Sequence, residues 1–154
     1  MFGYHTLRRQ QRLPRPPHAI FPFFAEAANL EAITPPWLRF AIASPKPIRM
    51  GAGTLIEYRL TLHGLPISWL TRVDVWDPDA RFVDVQLSGP YRLWHHTHEF
   101  LPDGAGGTLM RDTVRYALPL GPLGEAARRL FVARDLEAIF DFRTRRVAAA
   151  LTSR

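Results

Sequence analysis

The spacing of apolar residues predicts an α+β fold: a curved antiparallel sheet of about six or seven strands packed on a long C-terminal helix, with two short helices after the first strand. Three observations carry this expectation. Helical spacing is confined to residues 18–34 and to the chain beyond Pro119. Between them, from Arg39 to Leu118, about eighty residues keep the alternating period of half-buried strands. The C-terminal helix has apolar positions on more than one side, which suits a sheet that wraps around it rather than lying flat.

The elements follow in order. Residues 4–13 (YHTLRRQQRL) are polar and stop at Pro14, Pro16 and Pro17, the signature of an edge strand, because proline cannot donate to a ladder. From His18 to Leu30, Ile20, Phe21, Phe24, Ala27 and Ala28 recur at threes and fours, predicting a short amphipathic helix with Pro22 in its first turn. Asn29 to Thr34 adds a second short helical turn, ended by Pro35 and Pro36. Arg39 to Ser44 is a short strand. Beyond Gly51 and Gly53, Ile56, Tyr58, Leu60 and Leu62 share one face of a strand. His63-Gly64 turns the chain into a strand whose inner face is Ile67, Trp69, Thr71, Val73 and Val75. Asp-Pro-Asp turn chemistry precedes a strand from Phe82 to Leu87, in which Val83, Val85 and Leu87 compete with Gln86 for the inward side. Ser88-Gly89-Pro90 makes a bend. Residues 91–118 then form a long hairpin, and Pro119 to Gly124 introduce a helix reaching about Ala150. No repeat or linker divides the chain, so residues 1–154 are expected to form a single domain.

Composition narrows the function classes. An apolar fraction of 47% with 22% charged residues is that of a globular protein. Without cysteine there is no disulfide, thiolate nucleophile or Cys-ligated metal site. No apolar run approaches the roughly 20 residues of a membrane-spanning helix. Arg8, Arg9, Arg12 and Arg15 occupy the place of a signal peptide's apolar core, so a cytoplasmic location is expected. The net charge of +6 allows an anionic partner, but the basic residues are nearly all arginine, in a chain also rich in Ala, Leu and Pro. That bias fits a GC-rich coding sequence better than a nucleic-acid face, and the helix arginines Arg128, Arg129, Arg134, Arg143, Arg145 and Arg146 alternate with acidic residues as a solvated surface does.

The hairpin YRLWHHTHEFLPDGAGGTLMRDTVRYAL carries the main functional signal. Trp94, His96, His98 and Phe100 share one strand face, and Asp112 interrupts the apolar face Met110, Val114, Tyr116 and Leu118 of the other strand. Polar groups among aromatic side chains need partners, since an unpaired one costs a few kcal/mol. Three uses fit: His96 and His98 as metal ligands with Asp112 as a third, a His-Asp pair for acid-base chemistry, or an anchor for a ligand. The remaining histidines show no ligand spacing, and no metal or cofactor is expected. Candidate catalytic residues are His96, His98 and Asp112. The ligand-binding candidates are Tyr58, Trp69, Gln86, Tyr91, Trp94, His96, His98, Asp112 and Tyr116, aromatic rings with polar tips beside the polar cluster. The glycines Gly104, Gly106 and Gly107 lack the Lys-Ser/Thr of a phosphate loop and belong to the hairpin turn.

The segments FFAEAANLEAITPPWL (23–38), GTLIEYRL (53–60), SGPYRLWHHTHEF (88–100) and LPLGPLGEAARRLF (118–131) resemble those of small bacterial proteins of the SRPBCC superfamily, also called START-like or Bet v 1-like. The resemblance covers nearly the whole chain. It implies the helix-grip fold, with a cavity between sheet and helix for an apolar or amphipathic molecule such as a lipid, isoprenoid or polyketide. Relatives include lipid carriers, coenzyme Q-binding proteins and polyketide cyclases or hydrolases, so the resemblance implies a binding protein or, as the alternative, a cyclase/hydrolase-type enzyme using a His-Asp pair in that cavity. A sugar-nucleotide epimerase is excluded, because the chain has neither a Gly-x-Gly-x-x-Gly after a strand nor a Tyr-x-x-x-Lys pair. The ligand's identity and the oligomeric state stay open at this level.

Overall fold

A computed structural model describes residues 3–152. One antiparallel sheet of seven strands has the order β1-β7-β6-β5-β4-β3-β2. The strands are β1 (His5–Leu13), β2 (Ala41–Ile42), β3 (Leu55–Leu62), β4 (Leu65–Asp77), β5 (Arg81–Ser88), β6 (Leu93–Pro102) and β7 (Thr108–Ala117). Helices α1 (Pro17–Ala25) and α2 (Ala28–Ala32) follow β1, and the C-terminal helix runs as α3 (Gly121–Ala127), a π-helical turn (Arg128–Val132) and α4 (Ala133–Thr152). This is the helix-grip arrangement. Among the described residues no helix is long and apolar enough to cross a membrane.

Curvature comes from irregular pairing. The β4–β5 register shifts between Leu70 and Thr71 and again between Val73 and Val75. Such bulges bend a strand and increase its twist, which lets the sheet curl around α4. The helix offers Leu136, Phe140, Val147 and Leu151, all buried, at the spacings of one helical stripe. Polar residues of the edge strand fasten it: Arg9 bonds Asp141 and Glu137, and Gln11 donates to the carbonyl of Thr144. At the other end His5 reaches Glu125 at 2.9 Å. The polar character of β1 is therefore the seam between sheet and helix.

Several expectations need correction. Pro22 is the sixth residue of α1 rather than in its first turn. The helix ends three residues later, so the missing N–H breaks the ladder once in a very short element. The helical pattern to Leu30 is split, because Glu26 is extended and α2 starts afresh at Ala28. The apolar positions of the C-terminal helix fall in an early group, Leu123 to Phe131, and a later one, Val132 to Leu151, and only the later is gripped. Leu123, Leu130 and Phe131 of the early group are exposed. The π-helical turn, which contains Leu130 and Phe131, changes the phase between the early positions and α4. In β5 the inward residues are Phe82 and Asp84, while Leu87 is exposed and Gln86 folds back on the bend.

The core beneath α1 packs Phe100 edge-on against Phe21 with ring centroids 5.2 Å apart, with Phe24 also at 5.2 Å. Phe100→Ala is expected to lower unfolding stability by about 3–5 kcal/mol in urea titrations, whereas Leu87→Ser on the exposed face should change it by no more than about 0.5 kcal/mol.

Candidate ligand-binding site

Alternation along β6 turns Trp94, His96, His98 and Phe100 inward, and all four are buried. The β6–β7 register sets Asp112 directly across from His98, with Val114 across from His96. On the other side Asp84 of β5 pairs with His96, and Phe82 with His98. Three neighbouring strands thus bring two imidazoles and two carboxylates to one inner patch. Arg143 reaches it from α4, between Phe140 and Val147 on the buried stripe.

The patch is one hydrogen-bonded network. His96 Nε2 lies 2.8 Å from Asp112 Oδ1, and His98 Nε2 lies 2.6 Å from Asp84 Oδ2. The second nitrogen of His98, Nδ1, is 3.3 Å from Arg143 Nη2 and 3.3 Å from Asp112 Oδ1. In the tautomer that donates from Nε2 to Asp84, Nδ1 accepts from Arg143. The rings of Phe82, His98 and His96 form a stack, with centroids 3.9 Å and then 3.6 Å apart.

Burial and neighbours set the charges. Burial, followed by the adjacent His98, pushes His96 down to about 4, so its imidazole is neutral at pH 7. For Asp112, burial alone would raise the carboxyl; the Arg143 charge and the hydrogen bond from His96 outweigh it and hold the group well below the usual range. Asp84 follows the same logic, with burial opposed by its hydrogen bond to His98, and it too lies low. Both carboxylates are ionised in the interior.

Facing this network is a cavity of about 180 Å³ between the sheet, α4 and the α1–α2 segment. Its wall is mostly apolar, with Phe24, Ile56, Leu60, Val73, Leu136 and Phe140 among its residues. Its polar part includes Tyr58, Thr71, Asp84, His96, His98 and Arg143. Burial raises the Tyr58 hydroxyl above its ordinary value.

The sequence matches a known family along almost the whole chain: the profile described as polyketide cyclase / dehydrase and lipid transport covers residues 4–152. The chain belongs to that family. Among solved structures, a Thermus thermophilus protein, TTHA0849, is 25% identical with a TM-score of 0.66, over 95% of this chain and 99% of that one. The ZhuI aromatase/cyclase from a Streptomyces species is 14% identical with a TM-score of 0.76, over 96% and 93%. The protein Ara h 8.0201 is 17% identical with a TM-score of 0.68, over 99% and 100%. At those last two identities the likeness is one of fold. No curated protein matches significantly.

In this member of the polyketide cyclase / dehydrase and lipid transport family, six of the sequence-predicted site residues line the cavity: Tyr58, Trp69, Tyr91, Trp94, His96 and His98. Asp112 stands behind the two histidines and does not face the cavity. Tyr116 packs in the core with Trp94, Val114, Leu136 and Phe140. Gln86 is committed to the bend: its Oε1 accepts from the Tyr91 amide at 3.0 Å and its Nε2 donates to the Tyr91 carbonyl at 2.7 Å. A Cβ at Gly89 would lie 2.7 Å from that Oε1, which explains the glycine.

Sequence reasoning missed Asp84 and Arg143. Arg143 was assigned to a solvated helix surface, yet it is largely buried and falls in step with Leu136, Phe140 and Val147. That position in the apolar stripe was the available signal. For Asp84 the signal was alternation with Phe82, obscured by the adjacent valines.

The donor atoms of Asp84, His96 and His98 lie within 4.8 Å of one another, the composition of a metal site. The ring geometry argues otherwise. A metal ion at about 2.0–2.1 Å must lie near the plane of each imidazole it binds, whereas these rings stack at 3.6 Å with Nε2 of His96 on Asp112 and Nε2 of His98 on Asp84. The Arg143 cation beside them adds repulsion. The geometry is that of a hydrogen-bond network.

The network makes stability acid-sensitive. His96 has a folded value of about 4 against 6.5 unfolded, so its contribution is complete above about pH 6.5 and is lost as pH falls toward 4. Asp112, also depressed, adds a loss in the same direction below 3.8. Urea midpoints measured from pH 7.5 to 3 should fall steadily. In His96→Gln the decline between about pH 6.5 and 4 should be markedly shallower, because the titrating group is gone.

Proposed function

We propose that the protein binds an apolar or amphipathic small molecule, of the lipid, isoprenoid or polyketide kind, in the cavity between the sheet and α4. The observation that carries this reading is an apolar, aromatic-rich cavity of about 180 Å³ ending on a polar network. A void of about 150 Å³ lined only by apolar residues is known to stay dry and to take up benzene, so a space of this size suits a body of one or two rings. The family description, which couples polyketide cyclisation with lipid transport, supports the same class of ligand.

A second reading is favoured by one contact. His98 lines the cavity while Asp84 holds its Nε2 at 2.6 Å, an arrangement in which a carboxylate orients an imidazole beside a bound molecule. An enzyme of the cyclase type would use that pair. It predicts that His98→Ala or His96→Ala abolishes turnover of a reactive ligand but leaves its binding largely intact. Turnover unchanged in both variants removes this reading.

Binding itself is tested by native mass spectrometry of gently purified protein, followed by organic extraction, and by thermal shift against an apolar ligand library. A ligand at about one hundred times its Kd stabilises the native state by about 2.7 kcal/mol, a rise of several degrees in Tm at this chain length. A consistently empty protein whose Tm no compound moves would refute the proposal.

A further inference from the structure

The polar end of the cavity is unbalanced in a way that selects among ligands. Charged and imidazole groups on its wall are Asp84, His96, His98 and Arg143, with Asp112 directly behind. Two carboxylates, Asp84 and Asp112, meet one guanidinium there. Asp112 is surrounded by His96, His98 and Arg143. Asp84 is different. Its Oδ2 is held by His98, while Oδ1 takes no hydrogen bond among the described residues, and its side chain keeps 20% exposure on the cavity wall.

A carboxylate oxygen facing an apolar cavity is an acceptor in want of a donor. Water or a ligand hydroxyl satisfies it. A ligand carboxylate does the reverse, since it brings a second anion to the same low-dielectric space. Nε of Arg143 is buried without a partner, which gives an oxygen that accepts as well as donates a second use.

We propose that the cavity selects a neutral hydroxyl-bearing apolar molecule, a phenol, enol or alcohol whose O–H donates to Asp84, and discriminates against the corresponding carboxylate. This rests on the apolar-ligand reading and narrows it: a fatty acid bound through its ionised head does not fit, whereas a hydroxylated ring system does. Asp84 is the specificity-determining residue.

Calorimetric titration with 2-naphthol, 2-naphthoate and naphthalene at neutral pH tests it, because the three share a ring system and differ only in the polar group. The naphthol is expected to bind at least about tenfold more tightly than the naphthoate, and severalfold more tightly than the hydrocarbon. In Asp84→Asn the like charge is removed, so naphthoate should gain and the naphthol preference should shrink to about threefold or less. Naphthoate binding as well as naphthol in the native protein overturns the inference and leaves the apolar-ligand reading standing. Binding of none of the three, at concentrations where the native protein is folded, removes the ligand reading as well. Should Asp84→Asn fail to fold, the native-protein comparison decides alone, and Asp84→Ser, which keeps a small polar group, repeats the second arm.

Discussion

The buried carboxylate of Asp112 constrains more of this molecule than any other single group. An ionised side chain taken out of water costs several kcal/mol unless charges and hydrogen bonds replace its solvent. Here the replacement comes from His96 and His98 on β6 and Arg143 on α4, while Asp112 itself stands on β7. Satisfying one anion therefore requires two neighbouring strands to be in register and the C-terminal helix to be seated at one rotation and one depth. A slip of β6 by one residue would turn both histidines to the outer face. A quarter-turn of the helix would withdraw the guanidinium. The apolar stripe of α4 supplies much of the driving force for docking, but an apolar stripe tolerates sliding; the ionic contact does not. Specificity of the helix position is the role such buried groups serve best.

Asp84 extends the same network by one strand and opens it to the cavity. His98 is the hinge between the two carboxylates, with Nε2 turned to Asp84 and Nδ1 to Arg143 and Asp112. Its ring is clamped between Phe82 and His96, so its two nitrogens cannot rotate away from these partners without breaking the stack. The aromatic sandwich thus does for orientation what the ionic contacts do for charge. The polar end of the cavity is rigid as a consequence, which is the condition under which hydrogen-bond groups discriminate between ligands rather than adapting to each.

Most of the fold was legible because period-two alternation and helical spacing are properties of local sequence. The edge position of β1, the long 91–118 hairpin, and the inward set His96, His98 and Asp112 all follow from counting residues by twos. What failed to follow were features decided by another segment. Gln86 looked like a cavity residue by composition, but the bend at Gly89 brings the Tyr91 backbone within reach of its amide, and that geometry is invisible in a strand pattern. Arg143 was read by its charge instead of its position, and an arginine on an apolar stripe is the more informative of the two readings. The early apolar group of the C-terminal helix looked gripped because a uniform helical projection carries no π-helical turn. Asp84 was hidden by valines on either side.

A void and a buried charge network both work against stability, and here they adjoin. At about 24 cal/mol per Å³, keeping some 180 Å³ open forgoes on the order of 4 kcal/mol relative to a filled core. Replacing a buried ionic cluster by apolar side chains of similar volume is often neutral or stabilising. Larger side chains at positions such as Val73 or Thr71 would close the space with no change of fold. A sequence that instead keeps the space open and sets one unsatisfied carboxylate oxygen on its wall departs from the most stable packing twice at a single place. Elsewhere the local rules agree with one another, as the Phe21, Phe24, Phe82 and Phe100 cluster shows. Departures confined to one patch, against a background of consistent packing, are what a binding site requires and what a scaffold alone does not.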